Sequence, residues 1–130
     1  MIRINSESKN TRRTLLLLNA TLPTIEPKEA HELIPTNAQL VDVREAHEWK
    51  SGHAPLANHV PLGSLSDSLH LIDKNKQVIL CCRAGSRSSR ATELLLEKGY
   101  DAINLSGGMT AWVASGLELI DVHGNSGAVV

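Results

Sequence analysis

The chain has 130 residues, of which 42% are hydrophobic and 21% are charged, and its formal net charge at pH 7 is −1. These values predict a single soluble domain with a buried core. A charge this close to zero argues against a general binder of polyanions, and two Trp, one Tyr and no Phe leave no aromatic platform for stacked bases. No apolar run is long enough to span a membrane. We therefore expect neither a nucleic-acid partner nor a membrane partner.

Residues 1–23 are predicted to form a flexible N-terminal tail, because polar and basic residues precede a short run of leucines at 15–18. Basic residues followed by leucines resemble a secretion signal weakly, but the apolar part is short and Asn19 interrupts it. We therefore expect a cytoplasmic protein, with periplasmic export as the less favoured alternative. Residues 121–130 are predicted to be a second tail, which leaves a domain over residues 24–120.

Strand-like runs alternate with helical patterns through the central part of the chain. A helix is predicted to begin at Glu26 and Pro27, because proline is favoured at the first helical position. The helix is predicted to stop before Pro35, because proline cannot continue a helix. A strand at 39–43, a short helix at 45–50, a brief strand at 58–60 and helical turns at 66–72 come next.

The most apolar strand is predicted at 77–81, and the strongest helix at 88–98, capped by Ser88 or Ser89. A strand at 102–105 and a helix at 109–115 complete the pattern. This alternation predicts an α/β fold with a largely parallel sheet covered by helices on both faces. Ligands of such sheets bind beyond the carboxyl ends of the strands.

The loop that begins at Cys82 lies at such a strand end. It consists of Cys82 followed by Arg83, Ala84, Gly85, Ser86, Arg87 and Ser88. Loop N–H groups and the positive end of the next helix can converge on the sulfur and lower the thiol pKa from its free value of about 8.5. Gly85 is expected to supply positive φ or a close backbone approach. The pattern predicts that Cys82 is a nucleophilic thiolate.

The two loop arginines, Arg83 and Arg87, supply positive charge for an anionic substrate. For Arg87 two roles stay open, binding the anion and orienting the loop. Cys81 is expected to point into the core, because neighbouring strand residues face opposite sides of the sheet. The six histidines form no ligand cluster with the cysteines, so we expect no metal and no cofactor.

Four segments of the chain resemble motifs of the rhodanese family, in the family's order: residues 40–45, 48–55 with 57–62, 82–88 and 104–116. The likeness covers residues 24–120 and departs from the family at Leu56, where glycine is usual. It implies a rhodanese-like sheet of about five strands, with Asp42 and Arg44 supporting the active loop. It also implies a sulfurtransferase that moves sulfur from thiosulfate through a Cys82 persulfide to cyanide, a thiol or a sulfur-carrier protein.

Loop length distinguishes this chemistry from phosphate-ester hydrolysis. Cys82 to Arg87 is six residues, whereas the related phosphatases of the cell-cycle type have one more, which suits a bulkier phosphoryl group. The short loop therefore disfavours a phosphatase or an arsenate reductase. The main alternative is a persulfide carrier or interaction module that serves one protein partner with little thiosulfate turnover.

Overall fold

Five strands form one parallel sheet in the computed structural model, which describes residues 22–130. They lie in the order β1-β5-β4-β2-β3, and every neighbouring pair is parallel. The predicted α/β class, with a mostly parallel sheet of about five strands, is therefore confirmed. The strands are β1 (Thr24–Ile25), β2 (Ala38–Asp42), β3 (Asn58–His59), β4 (Gln77–Cys81) and β5 (Ala102–Leu105).

Helices cover both faces of the sheet. The α-helices are α1 (Pro27–Leu33), α2 (Ala46–Ser51), α3 (Ser86–Glu97) and α4 (Gly108–Ala114), and two 3-10 helices span Leu62–Asp67 and Leu69–Leu71. Leu95 of α3 is fully buried in one core, and Trp112 of α4 is buried in the other. None of these helices, within residues 22–130, has the length and apolar character needed to cross a membrane.

Strand β4 contributes to both cores because its side chains alternate between the two faces. Val78 and Leu80 lie in the core under α3, whereas Ile79 and Cys81 lie in the core under α1 and α4. Cys81 is therefore buried in the core, as the alternation predicts. Cys82, the next residue, returns to the α3 side of the sheet.

Three local features differ from the sequence-based expectation. Strand β1 has two residues, which is too short for a period to be visible in the sequence. The helical turns expected at 66–72 are parts of two 3-10 helices. The expected cap at Ser88 or Ser89 is wrong, because helix α3 begins at Ser86 after Gly85. The Ser88 and Ser89 hydroxyls donate instead to the Gly85 carbonyl, and that of Ser88 also to the Cys82 sulfur.

Residues 121–130, expected to be a tail, fold back onto the domain. Ile120 forms an isolated antiparallel bridge with His53 and another with Ser126. We call residues 126–130 the C-terminal strap. It is attached to the domain by a hydrogen bond from the Ala128 N–H to the Ser51 carbonyl at 2.9 Å. The predicted N-terminal tail lies almost wholly outside the described residues, and the domain limits of 24–120 stay a prediction.

Candidate active site

Cys82 is the first residue after strand β4, and only 2% of it is exposed. Two groups donate hydrogen bonds to its sulfur. The Gly85 N–H lies 3.1 Å from Sγ, and the Ser88 hydroxyl lies 3.3 Å from it. Two donors aimed at one sulfur stabilise a negative charge there, so the geometry favours a thiolate.

Burial and hydrogen bonding shift the pKa of Cys82 in opposite directions. Burial raises the pKa, but the Ser88 hydroxyl and the nearby N–H groups of Ser88, Gly85 and Ala84 together outweigh it, so the net shift is downward. Burial raises the pKa of Cys81 well above its ordinary value, and the nearby Asp42 charge raises it further. Cys82 is therefore the thiol of this pair that ionises readily.

The first turn of helix α4 holds the loop in the orientation that exposes these N–H groups to the sulfur. The Met109 N–H donates to the Cys82 carbonyl at 2.8 Å, and the Thr110 N–H donates to the Arg83 carbonyl at 3.0 Å. Because a peptide is planar and trans, turning the Arg83 carbonyl toward α4 points the Ala84 N–H the other way. The helix end thus sets the direction of the loop peptides.

The far half of the loop is fixed at the Gly85 carbonyl. Gly85 has φ +116°, the positive value expected from the sequence, and its carbonyl accepts from the Ser89 N–H, the Ser89 hydroxyl and the Asn104 side-chain amide. Asn104 also donates to the Ser89 hydroxyl at 2.9 Å. Sequence reasoning did not single out Asn104, although an amide on an otherwise apolar buried strand was the available signal.

Arg87 forms a two-pronged ion pair with Glu48 of helix α2. The distances are 2.6 Å from Nη1 to Oε1 and 2.9 Å from Nη2 to Oε2. Hydrogen bonding to Arg87 is the main reason that the pKa of Glu48 falls from 4.5 to about 2, against the opposing effect of burial. Both terminal nitrogens of Arg87 are occupied, which favours the orienting role over anion binding.

Glu48 was not singled out as a site residue, and an acidic residue in the first turn of a helix is ordinarily a cap. It does cap α2, since its Oε1 accepts from the Glu45 N–H at 3.0 Å. The same carboxylate reaches Arg87 from 39 positions away in the chain. Only the tertiary fold reveals this second role.

Asp42 and Arg44 form a fully buried ion pair at the end of β2. The Asp42 carboxylate accepts from the Arg44 N–H, Nε and Nη2, and the Nη2 to Oδ2 distance is 2.8 Å. Arg44 Nη2 also donates to the Gly52 carbonyl at 2.7 Å. These bonds tie the end of β2 to the residue after α2. The predicted supporting role of the pair would therefore act on the loop indirectly, through the Glu48-bearing helix.

Arg83, Ala84 and Ser86 are exposed and form the outer edge of the loop. The Arg83 Nε donates to the main-chain oxygen of Val130 at 3.1 Å. Within residues 22–130, no group of three or more His, Cys, Asp or Glu side chains is arranged to hold a metal ion. The site is thus built from one thiol, loop N–H groups, a serine hydroxyl and two arginines.

Comparison with known proteins finds relatives over most of the described domain. The model of the family described as "Rhodanese-like domain" matches residues 26–115. The thiosulfate sulfurtransferase GlpE of Actinobacillus pleuropneumoniae is 32% identical over 104 residues, which cover 78% of this chain and 96% of that protein. A sulfurtransferase of Allochromatium vinosum is 35% identical over 86 residues, or 65% of this chain and 80% of that protein. A crystal structure of a rhodanese-like domain protein from Staphylococcus aureus has a TM-score of 0.67 at 34% identity, covering 75% of this chain and 97% of that one.

Proposed function

The chain belongs to the rhodanese-like sulfurtransferase family, and we propose that it moves a sulfane sulfur from thiosulfate, or a similar donor, to a thiophilic acceptor through a persulfide on Cys82. One observation carries the proposal. The Cys82 sulfur accepts hydrogen bonds from the Gly85 N–H and the Ser88 hydroxyl, and the pKa of its thiol is lowered despite burial. Such a sulfur is a nucleophile prepared for attack on another sulfur.

In the first half-reaction, the Cys82 thiolate attacks the outer sulfur of thiosulfate. A new sulfur–sulfur bond forms at Cys82, the donor's sulfur–sulfur bond breaks, and sulfite leaves with the electron pair. Cys82 then carries the outer sulfur as a persulfide. The loop N–H groups stabilise negative charge on the transferring sulfur, as an oxyanion hole stabilises an oxygen.

In the second half-reaction, cyanide or a thiolate attacks the outer sulfur of the persulfide. The bond between that sulfur and Cys82 breaks, and the Cys82 thiolate is regenerated. The acceptor in the cell is proposed to be a thiol or a sulfur-carrier protein. A free, reduced Cys82 is needed at the start of each cycle, which suits a reducing compartment such as the cytoplasm.

The decisive experiment is intact-mass analysis of the reduced protein after thiosulfate and again after cyanide. We expect a gain of one sulfur atom that cyanide removes. The Cys82→Ala variant should gain nothing, whereas the Cys81→Ala variant should load normally, because that thiol lies in the opposite core. Failure of the folded, reduced protein to load would reject thiosulfate as the donor, and loading of Cys82→Ala would reject the nucleophile.

Steady-state kinetics test the covalent intermediate separately. A persulfide enzyme releases sulfite before the acceptor binds, so double-reciprocal plots for donor and acceptor should be parallel. Intersecting lines would contradict the two-step exchange. Full loading by thiosulfate with very slow transfer to cyanide would instead favour a persulfide carrier that serves a specific protein.

A further inference from the structure

Both arginines of the active loop are engaged, but by contacts of very different strength. Arg87 is held by two bonds to the Glu48 carboxylate, whose side chain is only 8% exposed. Arg83 is exposed, and its one hydrogen bond to the described residues runs from Nε to the main-chain oxygen of Val130. An exposed single contact is worth little, whereas breaking a two-pronged ion pair to a mostly buried carboxylate costs more. Arg83 is therefore the loop arginine that can change partners.

The group that holds Arg83 belongs to the C-terminal strap, which docks by direct backbone contact. The Gly127 N–H donates to the Leu119 carbonyl and the Ala128 N–H to the Ser51 carbonyl, each at 2.9 Å. A Cβ on Gly127 would lie 2.7 Å from the Gly52 Cα and 2.9 Å from the Ser51 carbonyl oxygen. A side chain at position 127 would therefore force the strap or residues 51–52 to shift.

We propose that the strap is a displaceable gate on Arg83 that sets how strongly the active site prefers anionic reagents. In the docked state, the Val130 oxygen accepts from the Nε of the arginine that directly follows the nucleophile. The oxyanion of a sulfur donor competes for the same guanidinium, and it frees the strap when it binds. The identity of the anion rests on the proposed sulfur-transfer function, whereas the gate itself rests on these contacts alone.

An anion can compete for Arg83 because the strap contact is a single hydrogen bond at the surface. The bond to Val130 uses the Nε alone. An oxyanion bound through two parallel N–H donors that include Nε makes a stronger arrangement than this single bond and displaces the Val130 oxygen. Arg87 cannot offer this fork without leaving Glu48. When the gate opens, Arg83 therefore stops holding the strap and binds the negative charge of the substrate.

Alkylation of Cys82 by two reagents of similar size tests the gate without any sulfur transfer. Iodoacetate is anionic and iodoacetamide is neutral, so the ratio of their rates reports the positive charge available near the sulfur. The Gly127→Ala variant should raise this ratio by about 1.4-fold to 5-fold, the range of one exposed charge contact. Its matched control is Gly63→Ala, since a Cβ there would meet nothing within 4 Å, and its ratio should equal that of the unchanged protein.

The rise must depend on Arg83. In an Arg83→Gln background the Gly127→Ala substitution should leave the ratio unchanged. A ratio that stays constant or falls in Gly127→Ala, or a rise that persists without Arg83, would overturn the gate. If Gly127→Ala does not fold by circular dichroism, Ala128→Pro replaces it, because proline removes the N–H that donates to Ser51, and the same outcomes decide.

Thiosulfate loading distinguishes this inference from the proposed function. A charge-dependent change in alkylation without any loading would support the gate and reject thiosulfate as the donor. When loading does occur, Gly127→Ala should reach half-maximal loading at a lower thiosulfate concentration than Gly63→Ala. A higher half-maximal thiosulfate concentration for Gly127→Ala than for Gly63→Ala would count against competition for Arg83.

Discussion

The side chains of Cys81 and Cys82 leave the backbone on opposite faces of the sheet, and this alone separates their chemistry. Cys81 faces an apolar core, where burial raises the pKa of its thiol. Cys82 meets the loop, where the Ser88 hydroxyl and three N–H groups overcome burial and lower the pKa. The environment of each sulfur, rather than the residue type, decides which one is reactive.

Ser88 has one hydroxyl proton and two acceptors, the Cys82 sulfur at 3.3 Å and the Gly85 carbonyl at 3.2 Å. Ionisation of Cys82 should draw the proton to the sulfur, because hydrogen bonds to charged acceptors are stronger. The Ser88→Ala substitution should therefore raise the pKa of Cys82, because it removes a hydrogen bond to the thiolate. The pH dependence of Cys82 alkylation measures that shift.

The matched control for this prediction is Ser89→Ala, since the Ser89 hydroxyl donates to the Gly85 carbonyl and not to the sulfur. The alkylation rate should rise with pH in every variant as the thiolate forms, and only the midpoint of Ser88→Ala should move upward. Equal midpoint shifts in both serine variants would show that the hydroxyl acts through loop structure instead.

Helix α4 contributes to the site through its first turn, although none of its side chains bonds to the sulfur within the described structure. Gly108 has φ +57°, and a Cβ there would lie 2.5 Å from the Cys82 carbonyl oxygen and 2.7 Å from that of Arg83. Gly107 also has positive φ, but a Cβ there would meet the Ala111 side chain instead. Alanine at Gly107 would therefore introduce backbone strain without touching the active loop, whereas alanine at Gly108 would also push against that loop.

Substituting alanine at either glycine should lower the free energy of unfolding by about 1–3 kcal/mol, because both positions have positive φ. Only Gly108→Ala should also slow Cys82 alkylation and sulfur loading, because its methyl group would displace the loop carbonyls. Urea unfolding and intact-mass kinetics on both variants measure the two effects. Equal loss of reactivity in Gly107→Ala would remove the specific role of the Gly108 contact.

Across the molecule, the pair of Glu48 and Arg87 joins the helix after β2 to the helix after β4. Glu48 has its pKa lowered to about 2 in the folded state, against an ordinary value of 4.5. A lowered acid pKa stabilises the fold fully above the unfolded value and loses that contribution as the pH falls toward the folded value. The molecule should therefore lose this increment of stability between about pH 4.5 and pH 2.

Glu48→Gln is expected to lower the free energy of unfolding by about 1–3 kcal/mol at neutral pH. The difference between the variant and the unchanged protein should shrink at about pH 3, where the glutamate of the unfolded chain is mostly protonated. Urea unfolding at the two pH values measures both differences. If the two proteins differed in unfolding free energy by the same amount at both pH values, the carboxylate charge would not be what stabilises the pair.

Whether a contact in this protein could be predicted from the sequence depends on how far apart its two residues lie along the chain. The strand before Cys82, the loop and the helix after it are local, so their order and the positive φ of Gly85 could be predicted. The partners of Arg87 and Arg83 lie 39 and 47 positions away, at Glu48 and Val130. Glu48 looks like an ordinary helix cap, and a Gly- and Ser-containing chain end looks like a tail. Neither contact leaves a periodic pattern that could have revealed it.

The separation of the two cysteines also determines how the site can respond to oxidants. A low-pKa thiolate is readily oxidised to a sulfenic acid, which a neighbouring thiol normally rescues by forming a disulfide. The chain has two cysteines in all, and Cys81 is buried in the opposite core. An oxidised Cys82 therefore has no resolving partner within its own domain, and its return to the reduced state depends on a small thiol or another protein that enters the loop from outside.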